Sequence, residues 1–167
     1  LIGFLINGFR FRSKNAKLAG GIASSAIAIS FLSALGLFLQ LKGLPAGERA
    51  LEFTLFNWIQ VGHFNAPMAF TLDPLSMVMT LIITGVGFLI HLFSVGYMDH
   101  DERPAKYFSY LNLFVFNMLL LVLGSNLLVM FVGWEGVGLC SYLLIGFWFS
   151  DPAKAAAGMK AFITNRI

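Results

Sequence analysis

The sequence predicts an all-α fold: a polytopic transmembrane helix bundle that carries a small extramembrane β-hairpin. Three observations predict it. The 167 residues are 58% hydrophobic and 11% charged, with a mean hydropathy of +0.81. That is the composition of a multi-pass membrane protein, not of a soluble domain. Apolar runs recur between short polar breaks, and several reach the roughly 20 residues that a helix needs to cross a hydrocarbon core about 30 Å thick. One segment, residues 42–73, is instead long and polar enough to lie outside the membrane, and part of it alternates with a two-residue period.

Taken in order, residues 1–9 (LIGFLINGF) are too short to span and read as the tail of a first helix. Arg10, Arg12, Lys14 and Lys17 follow with no acid among them, the strongest cytoplasmic signal under the positive-inside rule. Residues 18–41 form the second span. Gly20, Gly21, Ala23, Ser24 and Ser25 within it allow close backbone approach. In the following loop, Leu51, Phe53 and Leu55 alternate with Glu52, Thr54 and Phe56, which suggests a strand. A turn at Phe64-Asn65-Ala66-Pro67 would return it as a hairpin over residues 51–72. His63 in this loop reads as a solvated surface histidine.

Asp73-Pro74 opens the third span as N-cap and first helical residue, because proline lacks only an N–H that would be unpaired there anyway. Residues 75–98 cross, with His91 about two-thirds along. Two readings of His91 stand: a neutral imidazole bonded to a neighbouring backbone, or a proton-relay station. The polar turn DHDERPAK leads through Pro104 into a fourth helix ending near Leu123. Asn112 and Asn117 in it read as interhelical hydrogen-bonding groups. Gly124-Ser125-Asn126 breaks the apolar run before the fifth span, NLLVMFVGWEGVGLCSYLLIGFWF.

Glu135 is the only charged side chain between residues 107 and 150. At ~1.5 Å per residue from Asn126 it lies roughly 13 Å deep, near the midplane. An ionised group there costs at least ~2.5–3.5 kcal/mol. Either Glu135 is an ion or proton site facing the bundle interior, or it stays protonated and hydrogen-bonds a neighbouring helix. Gly133, Gly136 and Gly138 thin the helix around it, Tyr142 shares its face seven residues on, and Trp134 points to another face. Asp151-Pro152 repeats the helix-start device and opens a sixth helix over residues 153–167. Lys160 in that helix can snorkel to the interface. Arg166 lies deeper and needs another explanation.

Loops 10–17, 99–106 and 150–154 carry seven basic residues, against two in 42–73 and 124–126. The first set therefore faces the cytoplasm or its organellar equivalent, the matrix. The lone Cys140 excludes a disulfide framework and a cysteine-rich metal site. The net charge of +3 is spread over helix ends, so it is no nucleic-acid footprint. No signal peptide is visible. The chain has no initiator methionine and stops inside an apparently unfinished helix, so it reads as part of a longer protein.

The segments FTLDPLSMVM, LIHLFSVGYM, GWEGVGLCSYLLIGFW and MKAFITNRI resemble the antiporter-like L-type membrane subunits of bacterial respiratory complex I, the proton-pumping NADH:quinone oxidoreductase (subunit 5 in mitochondria). The resemblance is strong from about Asp73 onward, and the chain corresponds to the first quarter to third of such a subunit. It implies that residues 1–98 are leading transmembrane helices with the extracytoplasmic loop 42–73, and that 99–167 begin a first antiporter-like repeat. It implies that Glu135 is the key carboxylate of a proton half-channel, paired with a lysine on a later helix. Lys160, Ala161, Phe162, Thr164 and Arg166 match the family's sixth-helix motif. On this reading Lys160, Arg166 and His91 join Glu135 as candidate proton-translocation residues, and neither Glu135 nor Arg166 finds its mate within the chain.

The resemblance implies no cofactor and no metal site in this chain; FMN, iron–sulfur clusters and quinone belong to other subunits. The implied partners are other complex I membrane-arm subunits, the lipid bilayer and protons, with no nucleic acid. The implied location is the bacterial inner membrane or the mitochondrial inner membrane. Two rivals remain. An Mrp-type cation/proton antiporter subunit uses the same glutamate logic, and a structural membrane scaffold would need only a neutral, hydrogen-bonded Glu135.

Overall fold

A computed structural model describes residues 1–9 and 14–166. Arg10 and Arg12 of the basic cluster, and Ile167, lie outside the described residues. The elements follow in the order α1 (Ile2–Phe9), α2 (Ala16–Gly43), a 3-10 turn (Ala46–Glu48), β1 (Leu51–Val61), β2 (Phe64–Leu72), α3 (Pro74–Tyr97), α4 (Pro104–Leu123), α5 (Leu127–Ile145) and α6 (Pro152–Thr164). Helices α2, α3, α4 and α5 are each long and apolar enough to cross a membrane. At most 33% of the most apolar window of any of them is buried within the chain. The remaining apolar surface therefore faces lipid or further helices.

Each start has a local cause. Asn15 caps α2 by accepting from the Leu18 amide at 2.9 Å. Asp73 and Ser76 form a reciprocal capping box at α3: the Asp73 carboxylate accepts from the Ser76 amide at 2.7 Å, and the Ser76 hydroxyl accepts from the Asp73 amide at 2.8 Å. Asn126 caps α5 by accepting from the Leu128 and Val129 amides, both at 3.1 Å. Asp151 caps α6 through the Ala153 amide. Inside the spans, hydroxyls bond back to the preceding turn, as Thr84 does to the Thr80 carbonyl at 2.7 Å and Ser94 to Ile90 at 2.8 Å. A hydroxyl bonded in this way presents no unmet donor to its apolar surroundings.

The capping box makes a stability prediction. Hydrogen bonds from the Ser76 backbone and side chain hold the Asp73 carboxyl below the usual carboxylate range. A depressed folded-state value means that the contribution is present at neutral pH and is lost as pH falls through that value. Asp73→Ala should therefore cost about 1 kcal/mol at neutral pH. The difference should vanish well below about pH 4. Denaturant unfolding of the full-length protein in detergent at both pH values checks this.

Helix α4 is the hub: it packs against α1, α2, α3 and α5, while α6 packs on α5. At one end of the bundle, Ala19, Ala23, Met98, Ala105, Phe108 and Phe147 form a buried cluster. Gly20 is needed there, because a Cβ would overlap Val95 and crowd the Phe108 ring. At the other end Ala34, Leu41 and Met77 bury one another with help from Phe38 and Leu72. Helix α1 is tied in by Asn7, which donates to the Ala19 carbonyl at 3.1 Å, and by the Ser109 hydroxyl, which donates to Phe4 at 3.0 Å.

Two element boundaries differ from the sequence reading. The hairpin turn is Gly62-His63, not residues 64–67, which lie inside β2. Gly62 has φ +58°, and no other residue type among those described has a positive φ. A glycine-first, two-residue turn matches the twist of paired strands. Pro67 is tolerated because it sits opposite Asn57, beside a register irregularity between Asn57 and Ile59, where a missing N–H costs the ladder little. The fifth helix ends at Ile145 rather than continuing to Phe149. Gly146 closes it with its N–H on the Tyr142 carbonyl at 3.0 Å, and Phe147-Trp148-Phe149 form the connection to α6.

The hairpin is fastened to the bundle at the α4–α5 connection. The Ser125 amide donates to the Ala69 carbonyl at 3.1 Å, and the Asn126 amide side chain to the Pro67 carbonyl at 2.8 Å. Asn126 thus caps α5 and holds β2 with the same side chain. This places the hairpin and the 124–126 tip at one end of the bundle, as the alternation of spans requires.

Candidate functional site

Glu135 is the ninth of the nineteen residues of α5, so the middle of a membrane-crossing helix carries the carboxylate. The glycines around it let two neighbours close in. A Cβ on Gly133 would overlap the backbone of Leu121, and one on Gly136 would overlap the Asn117 amide, so this face of α5 lies hard against α4. A Cβ on Gly138 would overlap the Asn165 side chain, which follows α6. Glu135 itself faces the end of α6 and pairs with the Arg166 guanidinium. Both side chains are about one-third exposed within this chain, 28% for Glu135 and 33% for Arg166.

This corrects the expectation that both charges lack a mate. Helix α6 runs back along α5 and ends at Thr164, and the turn that follows it brings Arg166 to Glu135. Arg166 is steadied by the Phe162 ring, whose centroid lies 4.2 Å from the guanidinium carbon. Phe162 in turn packs on Tyr142 at 5.5 Å between centroids, so Tyr142 does share the Glu135 face. Trp134 does not point away: its indole N–H donates to the Asn165 carbonyl at 3.4 Å. An open cleft of about 540 Å³ lies beside the pair, lined by Met130, Phe131, Trp134, Glu135, Thr164 and Arg166.

The other candidates stand apart. Lys160 is exposed, and among the described residues it makes no ion pair. His91 is fully buried between α3 and α4, and α3 does not pack on α5. Its Nδ1 lies 2.7 Å from the Gly87 carbonyl, which can only accept, so Nδ1 carries the proton. Its Nε2 lies 3.1 Å from the Asn112 amide nitrogen, which also donates to the Phe108 carbonyl at 3.1 Å. The geometry is that of a neutral imidazole accepting at Nε2. The backbone partner belongs to His91's own helix rather than a neighbouring one, and the interhelical tie comes from Asn112. Asn117 likewise reaches α5, donating to Cys140 Sγ at 3.4 Å.

Asn165 is the residue that sequence reasoning missed. Its carbonyl receives Trp134, and its buried amide nitrogen has no hydrogen-bond partner among the described residues. An asparagine one residue past a helix looks like an ordinary terminus, and no spacing signals its approach to Gly138.

Comparison with known proteins places the chain in a family. Residues 58–108 match the family described as NADH-Ubiquinone oxidoreductase (complex I), chain 5 N-terminus. Residues 124–167, which hold Glu135 and Arg166, match the family described as NADH:quinone oxidoreductase/Mrp antiporter, TM. The chain is 44% identical over its full length to NADH-quinone oxidoreductase subunit L of Escherichia coli, covering 27% of that protein. It is 48% identical to the subunit L of Mycobacterium tuberculosis over 78% of the chain and 21% of that protein. It is 41% identical to that of Rickettsia bellii over the full chain and 26% of that protein. The chain thus spans about a quarter of the length of these relatives. Matched by both family models over residues 58–108 and 124–167, and aligned over its full length with subunit L of Escherichia coli, the chain belongs to the family of L-type, or chain 5, membrane subunits of NADH:quinone oxidoreductase.

Proposed function

We propose that this chain is the N-terminal part of a proton-translocating membrane-arm subunit of NADH:quinone oxidoreductase, and that Glu135 carries the proton. The observation that carries the reading is the placement of Glu135 at mid-span opposite Arg166. A cation beside the carboxylate favours its charged form and proton release. Withdrawal of that cation, in surroundings of low polarity, favours proton uptake. Moving one charge against 100 mV costs ~2.3 kcal/mol, so the energy must come from electron transfer elsewhere in the complex. FMN, iron–sulfur clusters and quinone chemistry belong to other subunits, and this chain supplies the ion pair. Residues 1–98 serve as leading helices and 99–167 open the first antiporter-like repeat. The site of action is the bacterial cytoplasmic membrane or the mitochondrial inner membrane, among other membrane-arm subunits.

In this reading Arg166 tunes Glu135 directly, His91 ties α3 to α4 as a neutral hydrogen-bonding group, and Lys160 lies at the periphery. The test is NADH-driven proton uptake into vesicles containing the complex with the full-length subunit. Uptake should follow NADH oxidation without a sodium requirement. Lys160→Ala and His91→Gln should each retain most of it. Sodium-coupled transport independent of NADH would favour the antiporter reading instead. A His91→Gln complex that assembles normally but does not pump would make His91 a relay.

A further inference from the structure

The basic end of the bundle holds a second cleft that the proton-transfer reading does not use. It has a volume of about 200 Å³ and lies between the start of α4, the end of α5 and the start of α6. Lys106, Tyr110, Tyr142, Leu143, Phe149 and Ala155 line it. Tyr110 is six residues into α4, about 9 Å along the helix axis. The cleft therefore runs from the headgroup level into the upper acyl region of the leaflet on the positive side.

Two cations converge on its rim. The Arg103 guanidinium lies 4.8 Å from the Phe149 ring centroid, and the Lys106 ammonium 5.8 Å from the same centroid. Like charges held on one ring repel, and the repulsion is stronger where the surroundings are apolar. Among the described residues no carboxylate forms an ion pair with either cation. Asp101 is the nearest in sequence, but one of its oxygens accepts from the Arg103 backbone amide at 2.8 Å and the other from the Trp148 indole at 2.8 Å. Asp151 caps α6 and pairs with Lys154 at 3.6 Å. Asp99 and Glu102 are exposed and engage neither cation. Rings hold the cations in place, and Lys154 is likewise held over Trp148 at 4.8 Å.

The cleft beneath the two cations is mixed: Leu143, Phe149 and Ala155 give it an apolar wall, and Lys106, Tyr110 and Tyr142 carry its polar ends. We propose that the cleft binds an anionic phospholipid of this leaflet, with its phosphate between Arg103 and Lys106 and an acyl chain lying along Leu143 and Phe149. Basic pockets between transmembrane helices on the cytoplasmic or matrix side are suited to acidic headgroups. The inference rests on the cleft, its two cations and the membrane orientation, and is independent of the role given to Glu135.

The test uses the assembled complex with the full-length subunit, purified in mild detergent after exchange into phosphatidylglycerol or phosphatidylcholine. Retained lipid is counted by native mass spectrometry. Wild type should keep about one more phosphatidylglycerol per subunit than an Arg103→Gln/Lys106→Gln complex. An Arg103→Lys/Lys106→Arg complex, which keeps both charges, should match wild type. Equal retention by the glutamine variant, or equal retention of phosphatidylcholine, would overturn the proposal. Release of the lipid by millimolar inorganic phosphate alone would assign the site to free phosphate. If the glutamine variant fails to assemble, photoactivatable phosphatidylglycerol on the wild-type complex decides. Labelling within residues 106–110 or 142–149 supports the site. Labelling elsewhere only, or a protein side chain filling the cleft in the assembled complex, excludes it.

Discussion

Glu135→Gln is expected to leave the complex assembled and to lower NADH-driven proton uptake by about tenfold or more, the effect of a barrier raised by only ~1.4 kcal/mol. Glutamine keeps the size and most of the hydrogen bonding of glutamate but holds no negative charge. Arg166 would then face an amide, and a cation near mid-span without its counter-ion is costly. That cost alone could disturb α5 and α6, so the decisive comparison is the Glu135→Gln/Arg166→Gln double variant. If the pair only fastens α6 to α5, removing both charges restores pumping, because replacing both partners leaves no orphan. If Glu135 carries the proton, the double variant stays inactive. Glu135→Asp shortens the reach by one methylene and should be milder than either. Proton uptake, scored against assembly on native gels, separates these outcomes. Restored pumping in the double variant would make Glu135 structural.

Gly133→Val should have the largest effect on stability. A Cβ at Gly133 meets the Leu121 backbone, which no rotamer change can move aside. Helices α4 and α5 would have to separate, and overpacking of this kind costs about 1–3 kcal/mol. A loss of that size lowers the folded-to-unfolded ratio about fivefold or more, and quality control in the cell turns such a shift into lower abundance. The amount of assembled complex should fall accordingly, while Gly21→Ala should leave it unchanged, because a Cβ at Gly21 meets nothing within 4 Å. Quantitative blotting of the membrane fraction checks both. Normal assembly of Gly133→Val would mean that α4 and α5 are not held as closely as described.

What could be read from the sequence was local. The four spans follow from run length, and their starts follow from Asp73-Pro74, Asn126 and Asp151-Pro152, each a cap that acts within three residues. A hairpin within residues 51–72 follows from the alternation at 51–56, but its turn at Gly62-His63 and the pairing of 51–61 with 64–72 do not. Asparagine and proline at 65–67 are turn-forming types, and only the backbone shows that Gly62 takes the positive φ that sets the register.

The sequence by itself determined that the chain is a membrane bundle and that its midspan charge is Glu135. Tertiary structure decided what each polar group meets. Helix α5 is apolar nearly all round, so no periodicity marks which face turns to α4 and which to α6. Glu135 and Arg166 are thirty-one residues apart and come together only because Gly133, Gly136 and Gly138 fix the approach and rotation of the helices around α5. His91 was visible as a buried histidine, but its tie to Asn112 depends on how α3 meets α4. Charge and run length belong to the chain. The partner of a buried group belongs to the packing, because in an apolar medium each such group must be satisfied by whichever neighbour the close-packed helices bring within reach.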